Sequence, residues 1–466
     1  MPDVVVISSN NRLLWIILAM GLALRLVILV GTRGLTPQIE DEQHYQAIGV
    51  NLVQGNGFAS EPGRLTSMRP PLYPAFLATI WHVTGIDSLQ SVRMVQILLS
   101  LLNAWLVYKL GEKLFHRRVG LIAASVFTFY PSLVFCDYLL LTETLFTLLL
   151  TLFVYAYSDL LAAGKASTAI VAGLVLALGA LTRSVLWPLI VCLVPATFIA
   201  VRGTKVIKAR AALLLVAGYL AVVAPWSIRN TMLQRRFTVV DAMGGINLFC
   251  GNYEHTPHDR PWDAISLAGE KSWAHRLRVE NPGFSSFTEG EREGWAQERA
   301  FAFMRENPGL TAWRAALKFA DFWALEREFA AGISSGLYKV SPWWGLPAVL
   351  SMPAAYVVLM VLASLGVFYA SPGNRWAHWF LLLLVLFVCG VHSVVFGHPR
   401  YRTPLSPIFI LYAAAAISAR SWRGWWQHRR AAIGFVVTVL VFISAWVRDV
   451  LFRDADRIRE LLKTFF

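Results

Sequence analysis

LLWIILAMGLALRLVILVGT, residues 13–32, runs directly into RGLTPQIEDEQHY, residues 33–45. Twenty nearly apolar residues, interrupted by the single charge of Arg25, give enough helix at about 1.5 Å per residue to cross a hydrocarbon core about 30 Å thick. The run is long and no small-residue cleavage pattern follows it, so it is expected to stay as a span rather than leave as a signal peptide. Three carboxylates then appear at once: Glu40, Asp41 and Glu42. Membrane topology has no need of them. The first stretch therefore sets the fold class, and the second shows where to look for chemistry.

The whole chain agrees with that opening. Of 466 residues, 56% are hydrophobic and only 15% charged, whereas soluble domains carry about 25% charged residues. An aromatic content of 13% excludes a disordered chain, and 32 Gly with 4 Cys exclude collagen-like and disulfide-scaffold proteins. The fold class is an all-α polytopic membrane protein. Spans are predicted near 13–32, 92–111, 119–136, 141–161, 167–182, 184–201, 209–226, 345–370, 376–396, 404–419 and 431–447. The pattern shows no tandem repeat. Cys192 and Cys389 fall inside spans. Cys136 and Cys250 leave open either a bridge between them or free buried thiols, and none of the four has metal-type spacing.

The net charge is +14, and its distribution gives it meaning. With the N-terminus inside, fifteen Lys and Arg fall in the inner segments. They include Lys109, Lys113, Arg117, Arg118, Arg202, Lys205, Lys208, Arg210, Arg429 and Arg430. The short outer connections hold three: Arg183, Arg400 and Arg402. This bias orients the chain N-in and C-out and accounts for much of the positive charge without nucleic acid. The chain is then one transmembrane domain, 1–466, with a first extracytoplasmic loop at 33–91, a second extracytoplasmic segment at 227–344 and an extracytoplasmic tail at 448–466. Residues 293–330 have helical periodicity suited to the membrane surface, and the tail reads as a short amphipathic helix.

Ionisable groups are costly within spans, so those at the boundaries carry information. Asp41 and Glu42 follow the first span closely, and a carboxylate there suits a general base toward a hydroxyl. An ordinary solvated loop fits the same string. His44 and Tyr45 complete the run. Gly55-Asn56-Gly57 and Arg69-Pro70-Pro71-Leu72-Tyr73-Pro74 come next, and the prolines predict a helix only from 75 to 83. Glu143 stands at the mouth of the fourth span, where a helix start also stabilises an acid. Arg183, Arg229, Arg400 and Arg402 oppose the inside bias. Their planar, permanently charged forks suit phosphate oxygens, and headgroup pairing is the plainer alternative. Gly244-Gly245-Ile246-Asn247-Leu248 permits close backbone approach to a sugar, or is ordinary loop chemistry.

In order, the Asp-Glu-x-x-Tyr run at 41–45, Gly-x-Gly at 55–57, Arg-Pro-Pro-Leu-Tyr-Pro at 69–74, Thr142-Glu143, Leu-Thr-Arg at 181–183, Pro-Trp-Ser-Ile-Arg-Asn at 225–230, Gly-Gly-x-Asn-Leu at 244–248 and Arg-Tyr-Arg-x-Pro at 400–404 resemble the GT-C membrane glycosyltransferases. The likeness is to the family 39 branch: dolichyl-phosphate-mannose–protein mannosyltransferases, aminoarabinose–lipid A transferases and related lipopolysaccharide-core transferases. It covers roughly 10–420.

The resemblance implies a multi-pass bacterial plasma-membrane enzyme with an extracytoplasmic site. Its donor is a sugar on a polyprenyl phosphate. Its acceptor is a hydroxyl of a glycan, lipid or protein, and membrane lipids are its other partners. Asp41 would take the acceptor proton as the anomeric carbon inverts, and Glu42 would assist. Arg183, Arg229, Arg400 and Arg402 would hold the phosphate. Glu143, His44, Tyr45, Arg69 and Asn247 would contact the acceptor or support these groups. No cofactor is expected; a divalent metal is compatible with the resemblance but not indicated by spacing. A lipid or glycan flippase and another lipid-linked glycan polymerase or ligase are the competing readings. The first calls for repeated halves and mid-bilayer charge, and the second leaves Asp41 and Glu42 without a role.

Overall fold

The computed structural model describes residues 11–258, 260–334, 336, 342–419, 426–456 and 458–459. Among these, eight helices are long and apolar enough to cross a bilayer: Arg12–Gly31, Leu89–Leu114, Glu143–Ala163, Lys205–Gln234, Gly345–Tyr369, Arg375–Val394, Pro399–Ala419 and Arg429–Arg453. The other three expected spans are shorter or broken. The 119–136 stretch is split into Arg117–Phe129 and Pro131–Cys136 at Tyr130, which sits at φ −69° and ψ 117°. Pro131 disfavours helical backbone in the residue before it. The 167–182 stretch is the helix Ala166–Thr182, and the 184–201 stretch is a 3-10 turn, Ser184–Leu186, followed by Leu189–Ala200.

Small residues let the helices meet at backbone distance. A Cβ on Gly173 would lie 2.1 Å from the Leu215 carbonyl oxygen, and one on Gly218 would lie 2.5 Å from that of Ile170. These glycines lock Ala166–Thr182 against Lys205–Gln234. Arg25 is buried, with Nε 2.7 Å from Asp137 Oδ2 and Nη1 donating to the Thr128 carbonyl at 2.8 Å. The four cysteines are free, so no bridge joins Cys136 to Cys250.

The first inter-span loop is more regular than its sequence suggests. Its acids open a helix, Glu40–Val53, where first-turn carboxylates complement the helix dipole. A small hairpin pairs Ala59–Glu61 with Arg64–Leu65. The next helix begins at Leu72, earlier than expected. Pro74 falls in its first turn, where the missing N–H would have had no partner anyway.

The second long segment also differs from expectation. The helix begun at Lys205 continues to Gln234, so Arg229 sits on its last turns rather than in a loop. The 293–330 stretch falls on two helices, Glu289–Glu306 and Pro308–Phe322, broken at Asn307-Pro308. The last span runs on through Asp449–Arg453, where Arg448 and Arg453 hold Asp321 at 2.7 and 2.8 Å. Residues 448–453 of the expected tail thus continue the last span instead of starting a separate surface helix, and 457 and 460–466 lie outside the described residues.

Candidate active site

A cavity of about 450 Å³ opens at the end of the bundle that carries the first loop. Each wall has a local reason for its position. Asp41 is the second residue of the first-loop helix. Arg183 follows the end of Ala166–Thr182 in extended backbone, φ −143° and ψ 119°. Glu143 is the first residue of its span. Arg400 belongs to a 3-10 segment, Pro399–Leu405, capped by the His398 ring, which accepts from the Arg400 amide at 3.2 Å.

These groups form one ion network. Asp41 Oδ1 is 2.7 Å from Arg69 Nη2, and Oδ2 is 3.1 Å from Arg400 Nη2. The Nε of Arg400 donates to Glu143 Oε1, which Arg183 Nη2 also reaches at 3.2 Å. Glu143 is 1% exposed and Asp41 28%, so only Asp41 faces incoming solvent or substrate to any extent. Arg69 also lies 2.9 Å from His44 Nδ1 and over the Tyr45 ring at 5.4 Å. The Arg183 guanidinium lies 5.7 Å from the centre of the Tyr401 ring. Burial pushes the Asp41 carboxyl upward, but the charges of Arg400 and Arg69 outweigh it and hold the group down to about 2. Burial lowers His44, with Arg69 adding to it, and burial raises the Tyr45 hydroxyl.

The residues singled out in the sequence divide in two. Asp41, Tyr45, Arg69, Arg183, Asn247 and Arg400 line the cavity. Glu143 lies behind it, His44 stands beside Arg69, and three others lie elsewhere. Glu42 is buried; its Oε2 accepts from the Gln38 and Ile39 amides at 3.0 and 3.1 Å, and its Oε1 from Leu140 at 2.9 Å. It closes the start of the helix and ties the first loop to the 137–141 turn, rather than standing beside Asp41 at a substrate.

Arg229 donates to the Thr66 carbonyl at 2.7 Å and covers Trp226 at 4.7 Å, which fastens the hairpin to its helix. Arg402 is buried under Tyr356 at 3.8 Å, bonded to the Phe322 carbonyl and 3.8 Å from Glu326. In a 3-10 turn residues two apart point in different directions, so Arg400 and Arg402 cannot share a wall. Gly244 and Gly245 serve packing: the Gly245 amide donates to Glu293 Oε1 at 3.1 Å, and a Cβ there would lie 2.4 Å from the Glu293 carbonyl oxygen.

The cavity also contains groups that the sequence reading passed over, including Asp241, Trp262, Ser266, His392 and Tyr401. Asp241 is a single residue in irregular chain and Trp262 sits in a short 3-10 turn, Pro261–Ser266, with no periodicity to mark either. The arginine-run motif at 400–402 could have pointed to Tyr401, which its neighbours bracket.

A family model described as dolichyl-phosphate-mannose-protein mannosyltransferase matches residues 68–228. That range holds Arg69, Glu143 and Arg183 and ends before Arg400. Among solved structures, ArnT from Cupriavidus metallidurans bound to undecaprenyl phosphate is similar at a TM-score of 0.51 and 12% identity, over 92% of this chain. The Archaeoglobus fulgidus oligosaccharyltransferase in complex with Zn and sulfate gives 0.50 and 13% over 97%. This chain spans 64% and 53% of those two chains. Among curated proteins, none matches by sequence. The likeness is one of fold, and the fold is of the GT-C type.

Proposed function

We propose that the chain is an integral-membrane inverting glycosyltransferase. It moves a sugar from a polyprenyl phosphate to a hydroxyl of a glycan, lipid or protein at the extracytoplasmic face of a bacterial plasma membrane. The observation that carries this reading is the network in which Arg400 joins Asp41 to Glu143, with Arg69 and Arg183 on either side. Within that network three guanidiniums face two carboxylates, leaving one positive charge in surplus. A lipid-phosphate-sugar diester carries one negative charge and gains a second as its sugar leaves. Fixed cations at that point stabilise the transition state more than the bound donor. The undecaprenyl phosphate held by the similar ArnT structure agrees with this donor class.

In the reaction, the acceptor oxygen attacks the anomeric carbon from the face opposite the phosphate. The carbon–oxygen bond to phosphate breaks, and its electron pair stays on the lipid phosphate. The acceptor proton passes to Asp41. A carboxyl held near 2 is a poor base, but donor charge beside Arg400 and Arg183 weakens their hold and raises it. Donor binding thereby prepares the base. The reading invokes no divalent metal. Asp41 and Glu143 are already engaged by arginines. Among the described residues no group of three or more His, Cys, Asp or Glu is placed to hold an ion.

The test is to incubate purified protein with undecaprenyl-phosphate-linked glucose, mannose and arabinose in nanodiscs with envelope glycolipids. Consumption of one donor with release of undecaprenyl phosphate supports the reading. Release of no lipid phosphate from any of them would reject it.

A further inference from the structure

The walls of the cavity come from chemically different parts of the chain. The first loop, the 181–183 corner and the 398–401 turn supply the guanidiniums. The stretch from 241 to 266 supplies Asp241, Asn247, Trp262 and Ser266, and no lysine or arginine. A carboxylate, an amide, a hydroxyl and an indole face are what a neutral polyol needs: acceptors for its hydroxyls and an aromatic surface for its C–H face.

Asp241 differs from Asp41 in what occupies its oxygens. Asp41 is held by two arginines. Asp241 has a hydrogen bond with Ser184 and a long one, 3.4 Å, from the Met243 amide to Oδ1. Among the described residues no Lys or Arg nitrogen lies within ion-pair distance of it; Arg69 acts on it only through space. Lone pairs thus remain open on a carboxylate that lines the cavity. Burial raises this carboxyl, and Glu293 is a second acid close enough to interact with it. An open carboxylate repels phosphate, which leaves the lipid phosphate on the arginine side and the neutral part of the donor beside Asp241.

We propose that Asp241 is a specificity-determining residue that accepts hydrogen bonds from ring hydroxyls of the transferred sugar, with Asn247 and Trp262 completing that subsite. The proposal rests on the glycosyltransferase reading and adds which residue discriminates among donors. A carboxylate accepting from two hydroxyls makes stronger bonds than a neutral amide does, and an unpaired partner is costly to leave in a closed site.

The experiment compares wild type, Asp241→Asn and Asp241→Ala as full-length protein in nanodiscs. Affinity is measured for undecaprenyl phosphate alone and for the same lipid carrying mannose, glucose or arabinose. Wild type is expected to prefer one sugar lipid over undecaprenyl phosphate. Asp241→Asn should lower affinity for that lipid about tenfold, and Asp241→Ala further, while undecaprenyl phosphate binds at least as tightly as it does to wild type. Retained binding of the phosphate lipid shows that the variants are folded. An equal loss for both lipids, or no loss for either, would overturn the proposal. If wild type bound neither lipid, the glycosyltransferase reading itself would fail, a result separate from these.

Discussion

Arg400 Nη2 stands 3.1 Å from Asp41 Oδ2, across 359 positions of sequence. The same guanidinium donates through Nε to Glu143. One side chain therefore helps to hold the acid in the cavity ionised and is itself fixed by an acid behind it. The predictions below follow from that arrangement.

Asp41→Asn should remove sugar transfer by at least about a hundredfold and leave the folded yield close to wild type. The amide keeps the shape of the carboxyl but cannot take a proton. Steady-state transfer and size-exclusion profiles measure the two quantities. Transfer at the wild-type rate would remove Asp41 from the role of base.

Glu42→Ala should act on folding rather than directly on chemistry. It leaves three amides, those of Gln38, Ile39 and Leu140, without their acceptor. A loss of about 1–3 kcal/mol is expected for buried donors left unpaired. Thermal unfolding in detergent should shift downward, with Glu42→Gln intermediate. A full loss of transfer with unchanged melting would place Glu42 at the substrate instead.

Arg402→Ala should likewise destabilise the fold, since it removes the buried cation between Tyr356, Phe322 and Glu326. Breaking a buried ion pair costs about 3–5 kcal/mol. Binding of undecaprenyl phosphate to the protein that remains folded should match wild type. Weakened binding with normal melting would return Arg402 to the phosphate site.

The pH profile carries the sign of the Asp41 shift. In the free enzyme the carboxyl is held at about 2, so it stays ionised throughout the working range and kcat/KM should not fall on its account until strongly acidic pH. Donor charge weakens the grip of Arg400 and raises the carboxyl, so on acidification kcat, which reports the complex, should begin to fall at a less acidic pH than kcat/KM does. The acid limb of kcat is expected at least about one pH unit above that of kcat/KM. Coincident limbs would show that donor binding leaves Asp41 unchanged.

The fold class could be read from residues 13–32 and the charge bias, because hydropathy and length act locally. The broken third span was foreshadowed by Pro131 but required tertiary contacts to settle. That Asp41, Arg183 and Arg400 face one end of the bundle followed from topology alone. Which arginine faces the cavity did not. Arg400 and Arg402 look equivalent in a string, and only the 3-10 backbone imposed by Pro399 and Pro404 separates them. Glu42 resembled Asp41 for the same reason: helical geometry turns adjacent residues to different faces, and the start of that helix was not marked by a capping residue at Ile39. Asp241 had no local signal, because the cavity it lines is assembled from segments far apart in the chain.

Equilibrium binding of undecaprenyl phosphate to the full-length protein in nanodiscs tests the central claim most directly, with Arg183→Ala and Arg400→Ala set against Arg229→Ala. The first two should each weaken binding about tenfold or more, and the third should leave the affinity of folded protein unchanged. Equal affinity in all four proteins, or a loss confined to Arg229→Ala, would contradict the assignment of this cavity to a lipid phosphate.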